Sequence, residues 1–455
     1  MAGTNLYRTP TTRTNNQKFT FSCWFKRSKI TSPGYIAINY ESANDRGYVV
    51  IDSNDKFNVY DKAGGVDRLN ISSNFVLRDT NSWYHLLYSV DSTAASNRVK
   101  FYINGVNRYN DFTVTTAMSQ NSTVGFQQGT TSNGFRVGSQ QTGSTTFNGL
   151  MSHVNFVDGL QLDASAFGET DSTTGEWKIK TSPTVSEYGN NGFFILKDGN
   201  SVTDQSGKGN NFGIGGSVGS LTKTEDCPSN VFATWNVLDS HYFWGAAESS
   251  WCTNGNTTAR TGNSQYSSCT ATLGASSGKY YWEFKYDAKS GSDNLWHLGI
   301  KSTQDTASTT ALGINSTDYA YKAYNGQSMS DNSSSAYGST YAVGDIIGVA
   351  LDLDNNKLYF HKNGTYQNSG VPTSGSTGTG AISIAAASTT EFGVYVPAFS
   401  WNDGSSYGTN SVNFGNGYFG TTAVSSAGTN ASGNGIFEYD VPTGYTALST
   451  KGLNL

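Results

Sequence analysis

The sequence predicts an all-β protein with two antiparallel β-sandwich domains, and three observations lead to that class. The chain has 455 residues, which is enough for two or three domains that each bury a core. It combines 52 glycines and 13% aromatic residues with many Ser, Thr and Asn residues, which compete with helical hydrogen bonds. Both halves contain segments in which apolar and polar residues alternate, and this period of two indicates half-buried strands.

In the N-terminal part, the first clear strand is predicted at residues 19–25, where three phenylalanines share one face. Alternation returns over residues 83–90 and over residues 99–103. Asn104 and Gly105 follow directly, and both residue types tolerate the positive φ of a tight type I′ turn. A β-hairpin is therefore predicted at this point.

These segments read F-T-F-S-C-W-F, W-Y-H-L-L-Y-S-V-D, V-K-F-Y-I-N-G-V and N-G-L-M-S-H-V-N-F-V-D-G. Together they resemble a laminin-G-like, concanavalin A-like lectin domain over about residues 5–167. The resemblance implies a jelly-roll sandwich of two antiparallel sheets. We therefore assign residues 1–167 to a first domain.

The C-terminal part contains a second series of strands. Tyr280, Trp282 and Phe284 alternate with Tyr281 and Glu283, which predicts a strand with one buried face that includes Trp282. A longer alternating segment, G-D-I-I-G-V-A-L-D-L-D-N-N-K-L-Y-F-H-K-N-G, contains its own turn residues and predicts a hairpin.

The motifs G-K-Y-Y-W-E-F, W-H-L-G-I, the hairpin segment and V-N-F-G occur in the order of a SPRY domain, which they resemble over about residues 250–445. The resemblance implies a β-sandwich that recognises partners through its loops and has no catalytic activity of its own. We assign residues 250–455 to this domain.

Residues 168–249 are predicted to form a packed, mostly irregular connector. They include Trp177, Phe193 and Trp235, whereas disordered linkers lack such aromatic residues. The connector segments D-Q-S-G-K-G-N-N-F and D-C-P-S-N-V-F-A-T-W-N, placed between a lectin-like and a SPRY-like module, resemble those in virion proteins of marine tailed bacteriophages. The resemblance implies a virion location.

Composition argues against several classes of function. The net charge is -5 and 14% of the residues are charged, so no basic stripe is present to neutralise the phosphates of a nucleic acid. No apolar segment is long enough to cross a bilayer, and the N-terminus does not read as a signal sequence. The four cysteines lack metal-ligand spacing, while a disulfide between Cys252 and Cys269, as neighbours on adjacent strands, stays open.

Catalytic patterns are also missing. The E-x-D-x-E strand that glucanases with lectin-like folds share does not occur, and the five histidines are scattered without a metalloprotease or nucleophile-elbow motif. The pair Asp352 with Asp354 leads into a predicted hairpin turn and the pair Glu438 with Asp440 lies near the chain end, so we expect these carboxylates to be solvated. We therefore expect a protein that is not an enzyme.

Two loop regions of the C-terminal half combine aromatic rings with amide or carboxylate groups. A sugar site needs a ring plane for the apolar face of the sugar and polar groups for its hydroxyls. Trp401 is the strongest candidate because it lies in F-S-W-N-D-G-S-S-Y-G, where glycine permits an exposed loop. Loop packing or a subunit contact is the alternative for each residue. The candidates are Trp401, Asn402, Asp403, Tyr407, Tyr319, Tyr321, Tyr324 and Asn325.

In the N-terminal half, Glu41, Asn44 and Asp45 lie between predicted strands and are weak candidates for binding Ca²⁺ through oxygen ligands. No other cofactor is expected. We interpret the chain as a non-enzymatic phage virion surface protein, such as an appendage, knob or decoration subunit, that forms homo-oligomers and binds host-surface glycan or another virion protein. A glycan-degrading virion enzyme and a purely structural assembly protein are the alternatives.

Overall fold

The computed structural model describes residues 3–127, 129–130, 134–197, 201–216, 221–241, 251–261, 267–292, 294–303, 311–401 and 406–454. It has 44% strand and 6% helix, which confirms the predicted all-β class. The described helices are short 3-10 turns at Tyr109–Asp111, Gly125–Gln127, Ala164–Ala166, Gln367–Ser369, Pro372–Thr377, Ala387–Thr389 and Gly452–Asn454.

The chain divides into two compact units, which we describe separately. The first unit comprises Met1–Lys223 with Cys227–Ser229, and the second comprises Thr224–Asp226 with Asn230–Leu455. The predicted connector at residues 168–249 is therefore divided between the units, and most of it belongs to the first.

Over the part of the chain that is described, the first unit has an eight-stranded sheet in the order β10-β6-β5-β4-β3-β11-β1-β16, a six-stranded sheet in the order β15-β12-β2-β7-β8-β9, and the small hairpin β13-β14. Its strands are β1 (Thr4–Arg8), β2 (Lys18–Arg27), β3 (Gly34–Ser42), β4 (Asp45–Ile51), β5 (Phe57–Ala63), β6 (Val66–Ser73), β7 (Trp83–Asp91), β8 (Val99–Ile103), β9 (Val106–Asn107), β10 (Phe112–Thr116), β11 (Phe135–Val137), β12 (Gly149–Asp158), β13 (Gly168–Thr170), β14 (Trp177–Ile179), β15 (Phe193–Ile195) and β16 (Gly213–Gly216).

The part of the predicted connector that belongs to the first unit adds strands to both sheets of this sandwich. Strand β15 pairs with β12 in the six-stranded sheet, and β16 pairs with β1 in the eight-stranded sheet. The rings of Phe193 and Phe212 lie 4.7 Å apart in the shared apolar core. Phe193 and Phe212 are thus part of the core of the first unit, which explains why this part of the predicted connector packs on the sandwich.

The second unit, in its described residues, has a seven-stranded sheet in the order β17-β20-β30-β22-β23-β24-β25 and a nine-stranded sheet whose main path is β18-β19-β31-β21-β26-β27-β28, with β29 on β27, β34 on β21, and the separate pair β32-β33. Its strands are β17 (Trp235–His241), β18 (Cys252–Thr253), β19 (Thr258–Arg260), β20 (Ser267–Ala271), β21 (Lys279–Lys289), β22 (Trp296–Lys301), β23 (Tyr319–Lys322), β24 (Gln327–Ser330), β25 (Ser333–Ala336), β26 (Ile346–Asp352), β27 (Lys357–Lys362), β28 (Thr365–Tyr366), β29 (Ile382–Ser383), β30 (Val396–Trp401), β31 (Gly408–Asn413), β32 (Tyr418–Phe419), β33 (Thr422–Ala423) and β34 (Thr446–Ala447).

The central strand β21 is buried on both faces. Trp282 is 3% exposed and belongs to the core between the sheets, so its predicted burial is confirmed. Tyr281 and Glu283, which the alternation placed on a solvated face, are buried as well. The prediction that β21 has only one buried face was therefore wrong. Residues 436–441, which we call the covering segment, pack over the second face, and the ring of Phe437 lies 5.0 Å from that of Tyr281.

The cysteines Cys252 and Cys269 are free and buried. Cys252 is on β18 of the nine-stranded sheet and Cys269 is on β20 of the seven-stranded sheet. Their strands belong to different sheets, so the two residues are not neighbours on adjacent strands, which is the arrangement for which a disulfide was left open.

Glu283 holds the covering segment in place. Its carboxylate accepts hydrogen bonds from the backbone N–H groups of Glu438 at 2.9 Å and Tyr439 at 2.8 Å. It also accepts one from the Tyr281 hydroxyl at 3.0 Å and one from the side-chain amide of Asn413 at 3.3 Å. Four donors stabilise the carboxylate, yet burial dominates and raises the pKa of Glu283 to about 7.

Asp61 has the same role in the first unit. Its carboxylate accepts hydrogen bonds from the backbone N–H groups of Gly125 at 2.6 Å and Phe126 at 2.9 Å. The ring of Phe126 stacks on that of Phe19 with a centroid distance of 5.1 Å and so fills the centre of the core. Burial raises the pKa of Asp61 to about 7.

We predict that Glu283→Gln removes part of the pH dependence of stability. The pKa of Glu283 is higher in the folded than in the unfolded chain, so its contribution is fully present below its unfolded pKa and is lost as the pH rises through about 7. Between pH 5 and pH 8, the wild-type free energy of unfolding should fall by up to about 3 kcal/mol more than that of the variant.

Urea unfolding of both proteins at several pH values measures this difference. Because Asp61 titrates in both proteins, its contribution cancels in the comparison. If the free energy of unfolding changed with pH equally in the wild type and in the Glu283→Gln variant, the prediction would be contradicted.

Candidate functional site

Trp401 is a core residue, so the prediction that it forms an exposed ring platform was wrong. It ends strand β30, is 0% exposed, and lies with its ring 4.9 Å from that of Trp296. Its indole N–H donates a hydrogen bond to the Ser406 carbonyl at 3.0 Å. Phe399 and Trp401 are two residues apart on one strand, and both point into the core.

Tyr319 and Tyr321 are also buried, on strand β23 rather than in a loop, which corrects their predicted exposure. The Tyr319 hydroxyl accepts a hydrogen bond from the Ala385 N–H, and the Tyr321 hydroxyl donates one to the Ser339 carbonyl. Both therefore serve packing. Among the described candidates for ligand binding, Tyr319, Tyr321 and Trp401 are buried core residues.

The remaining candidates have different positions. Tyr324 is 46% exposed and Asn325 is exposed beside it. Tyr407 is half-buried, and the Arg260 guanidinium lies 4.0 Å from its ring centroid. Asn402 and Asp403 lie outside the described residues. The structure thus leaves Tyr324 and Asn325 as the exposed pair.

The three calcium candidates lie at the hairpin between β3 and β4. Glu41 accepts hydrogen bonds from the N–H and hydroxyl of Thr130, and Asp45 accepts one from the Gly64 N–H at 2.7 Å. The Asn44 carbonyl accepts a hydrogen bond from the Gly65 N–H. Over the described ranges no group of three or more His, Cys, Asp or Glu side chains is placed to hold a metal ion. Calcium binding stays a prediction.

The outer face of the seven-stranded sheet carries a pocket of about 300 Å³, which we call the sheet pocket. Along β22, Trp296, Leu298 and Ile300 point into the core, so Lys301 lies on the opposite face. The lining residues of the sheet pocket are Asn236, Asp239, Ser268, Cys269, Thr270, Lys301, Thr303, Leu312, Phe392, Ala398 and Phe399.

One wall of the sheet pocket is fixed by hydrogen bonds to the Leu312 backbone. Its N–H donates to the Ser400 hydroxyl at 2.9 Å, and its carbonyl accepts from the Nδ1 of His297 at 3.1 Å. The Thr303 hydroxyl donates to Asp318 at 2.8 Å, which fixes a second position on the rim. The wall is therefore held in place by the sheet beneath it.

His297 connects the sheet pocket to the exposed pair. The rings of His297 and Tyr324 stack with a centroid distance of 6.3 Å, and the Lys322 ammonium lies 5.3 Å from the Tyr324 ring centroid. Burial lowers the pKa of His297 to about 4, so the imidazole is neutral at pH 7. Tyr324 and the sheet pocket thus belong to one surface.

The chemistry of the sheet pocket suits binding. Leu312, Ala398 and the 42%-exposed Phe392 offer apolar contacts, while Asp239 and Lys301 carry opposite charges. A small number of polar groups among apolar walls, at this volume, is typical of a ligand site. Sequence reasoning missed the sheet pocket because its residues come from five separate segments and share no motif.

A close serine–histidine pair in the first unit, formed by Ser22 and His85, is structural. The Ser22 hydroxyl and the His85 Nε2 lie 2.8 Å apart, and the Trp177 indole N–H donates to the His85 Nδ1 at 3.1 Å. Both Ser22 and His85 are fully buried, and burial lowers the pKa of His85 to about 3. A substrate has no access to this pair.

Comparison with known families agrees with this two-part architecture. Residues 2–164 match Laminin_G_3, the concanavalin A-like lectin/glucanases superfamily, and residues 279–413 match the SPRY domain. The chain has a concanavalin A-like domain followed by a SPRY domain. Both are typically binding domains, and they indicate a role in protein or glycan binding.

Curated relatives match a short part of the chain. Ran-binding protein 9 and Ran-binding protein 10 from Danio rerio are each 34% identical over 91 residues, which cover 20% of this chain and 15% of each relative. Human Ran-binding protein 9 is also 34% identical over 91 residues, which cover 12% of its length. The chain therefore aligns with less than a sixth of these proteins.

Solved structures give weaker similarities. The SPRY domain of human HERC1 is 15% identical, with a TM-score of 0.30, and the match covers 39% of this chain and 96% of that one. Stonustoxin is 18% identical, with a TM-score of 0.27, over 40% of this chain and 27% of that one. Separately, none of the helices in the described ranges is long and apolar enough to cross a membrane.

We predict that Trp401→Ala destabilises the protein by about 3–5 kcal/mol, as for other large buried aromatic residues. Removal of the indole leaves a cavity beside Trp296 and removes the hydrogen bond to the Ser406 carbonyl. Chemical unfolding measures the effect. Tyr324→Ala is the control, because an exposed side chain should change stability by about 0.5 kcal/mol or less. Equal stability of the Trp401 variant and the wild type would contradict the core position.

Proposed function

We propose that this chain is a non-enzymatic virion surface protein, an appendage, knob or decoration subunit, that binds a partner through the sheet pocket and its Tyr324 rim. The partner is a host-surface glycan or another virion protein, and the chain acts as a homo-oligomer. The observation that carries this proposal is the sheet pocket itself, a preformed site with apolar walls and opposite charges on the outer face of a SPRY domain.

The make-up of the sheet pocket supports binding rather than turnover. Asp239 accepts a hydrogen bond from the Thr270 hydroxyl, and the other charged residue of the lining is Lys301 rather than a second carboxylate. Glycoside hydrolysis requires two carboxyl groups on either side of the scissile bond. The lining residues of the sheet pocket include one carboxylate, so the second carboxyl group that glycoside hydrolysis requires is not among them.

The virion assignment rests on the order of the modules. A lectin-like domain is followed by the segments D-Q-S-G-K-G-N-N-F and D-C-P-S-N-V-F-A-T-W-N and then by a SPRY-like domain, an organisation that resembles that of virion proteins of marine tailed phages. The first segment lies in the first unit, where Asp204 accepts hydrogen bonds from the N–H groups of Phe194 and Asn210. These bonds fix the loop against β15.

Phe392→Ala should weaken binding to intact host cells, or to purified virus particles, at least tenfold. An exposed aromatic residue at a binding centre typically contributes about 2 kcal/mol or more, and its loss leaves the fold unchanged. The matched control is Val371→Ala, since Val371 is 43% exposed in the same domain and lies outside the sheet pocket. Equal binding by both variants would contradict a role for the sheet pocket.

The virion location predicts that the intact chain is present in particles purified from the infected host. Mass spectrometry of washed particles detects it, and a chain found in the lysate but not in particles would contradict the location.

Incubation with host polysaccharide followed by product analysis tests the proposal that the chain is not an enzyme. Release of oligosaccharides by the purified chain would show an enzyme instead.

A further inference from the structure

The outer face of the eight-stranded sheet in the first unit carries a row of tyrosines and arginines that the sheet pocket does not involve. We call it the tyrosine–arginine strip. Its members are half-buried side chains on five neighbouring strands, namely Tyr7, Arg136, Tyr35, Arg46, Tyr48 and Tyr60.

Strand register places four of these side chains in one row across the sheet, with Arg46 two residues before Tyr48 on its strand and Tyr35 opposite Val50, two residues after Tyr48. Arg136 is opposite Tyr7 on one side and Ile38 on the other, and Tyr48 is opposite both Ile38 and Tyr60. Neighbouring strands are about 4.8 Å apart, so the strip extends about 19 Å across the sheet from β1 to β5.

The aromatic rings of the strip pack against one another. The rings of Tyr48 and Tyr60 stack with a centroid distance of 5.3 Å and an interplanar angle of 25°, and Tyr35 contacts Tyr48 edge-on at 5.4 Å. Because Tyr48 and Tyr60 cover each other's faces, these two rings cannot both lie flat under a sugar. Hydroxyl groups and ring edges are what the strip offers to a ligand.

Arg46 is the unexplained group of the strip. Its guanidinium lies 5.6 Å from the Tyr60 ring centroid, and among the described residues it has no hydrogen-bond acceptor and no carboxylate within 4.0 Å. Its Nε is buried without a partner. A buried donor without an acceptor is unfavourable, and each such group in a native structure calls for an explanation, such as a bound water, an ion or another partner.

Arg136 repeats the arrangement at the other side of the strip. Its guanidinium lies 5.7 Å from the Tyr7 ring centroid and donates one hydrogen bond to Asn5 at 2.8 Å, but its Nε is also buried without a partner. Two arginines on one sheet face therefore retain unused donors.

The nearby acid does not neutralise them. Asp67 accepts a hydrogen bond from the Tyr60 hydroxyl at 2.5 Å and lies 3.5 Å from the Lys62 ammonium. The Tyr60 hydroxyl and the Lys62 ammonium lower the pKa of Asp67, and the more distant Arg46 guanidinium adds to this effect without forming an ion pair with it. The strip keeps a local excess of positive charge in a chain whose net charge is -5.

We infer that the tyrosine–arginine strip binds a linear anionic polysaccharide through its carboxylate groups. A guanidinium pairs with a carboxylate through two parallel hydrogen bonds, and tyrosine hydroxyls both donate to and accept from sugar hydroxyls. An extended strip with separate arginines fits a chain that repeats its acidic groups. Nucleic acid is a poorer ligand, because two arginines would neutralise few phosphates. This inference concerns the first unit and does not rest on the virion assignment.

The test measures binding of the full chain to oligogalacturonate, a carboxylated glycan, and to neutral dextran as a control ligand. We expect oligogalacturonate to bind, dextran not to bind, and affinity to fall as salt is raised. Arg46→Gln should lower the affinity at least tenfold. Arg108→Gln is the matched control, since Arg108 is an exposed arginine of the same unit that pairs with Asp111 at 3.1 Å, and it should change affinity less than twofold.

Further variants and ligands distinguish carboxylate pairing from general charge attraction and from self-association. Arg46→Lys keeps the charge without the planar fork, so a several-fold loss with an unchanged melting temperature would support carboxylate pairing. Lack of oligogalacturonate binding, equal loss in the Arg108 control, or equally tight binding of poly-glutamate would overturn the inference. Self-association of the chain that Arg46→Gln abolishes would also overturn it, because the strip would then contact a second copy. A failed test of the sheet pocket leaves this result unaffected.

Discussion

Each domain depends on a buried carboxylate that binds two consecutive backbone amides from a distant segment. A segment that covers a sheet without pairing to it has N–H groups that lose water and need acceptors. Asp61 supplies them for Gly125 and Phe126, and Glu283 supplies them for Glu438 and Tyr439. In both cases an aromatic residue of the bound segment, Phe126 or Phe437, packs in the apolar core. The carboxylate therefore fixes the segment that covers the core.

This arrangement has an electrostatic consequence. Burial destabilises the ionised form of each carboxylate, and the hydrogen bonds from the backbone N–H groups offset only part of this desolvation cost. The pKa of Asp61 and that of Glu283 are therefore both raised to about 7. His361 completes the second site as a neutral group: its Nδ1 accepts from the Gly364 N–H, and its Nε2 lies 2.6 Å from the Tyr281 hydroxyl. Burial lowers the pKa of His361 to about 3, which keeps a second charge out of the core.

The sequence predicted the fold class and the two sandwiches because local alternation and turn chemistry determine where strands form. It could not predict the second buried face of β21, since the covering segment is more than 150 residues away from Glu283. The candidate site shows the same limit. Tyr319, Tyr321 and Trp401 follow the period of two on their strands, so the signal for burial was present, whereas the sheet pocket assembles from segments that no sequence pattern connects.

The pairing of charged groups also distinguishes structural residues from candidate binding residues. Asp55, a fully enclosed carboxylate, binds Arg27 at 2.7 Å and Arg78 at 2.8 Å and so fixes its loop. Asp61 and Glu283 accept hydrogen bonds from backbone amides. Arg46 has neither kind of partner, although it lies on a regular strand of a well-formed sheet. The enclosed guanidinium of Arg27 has its acceptors within the fold, whereas the guanidinium of Arg46 has none among the described residues, and this contrast is why we infer an external acceptor for it.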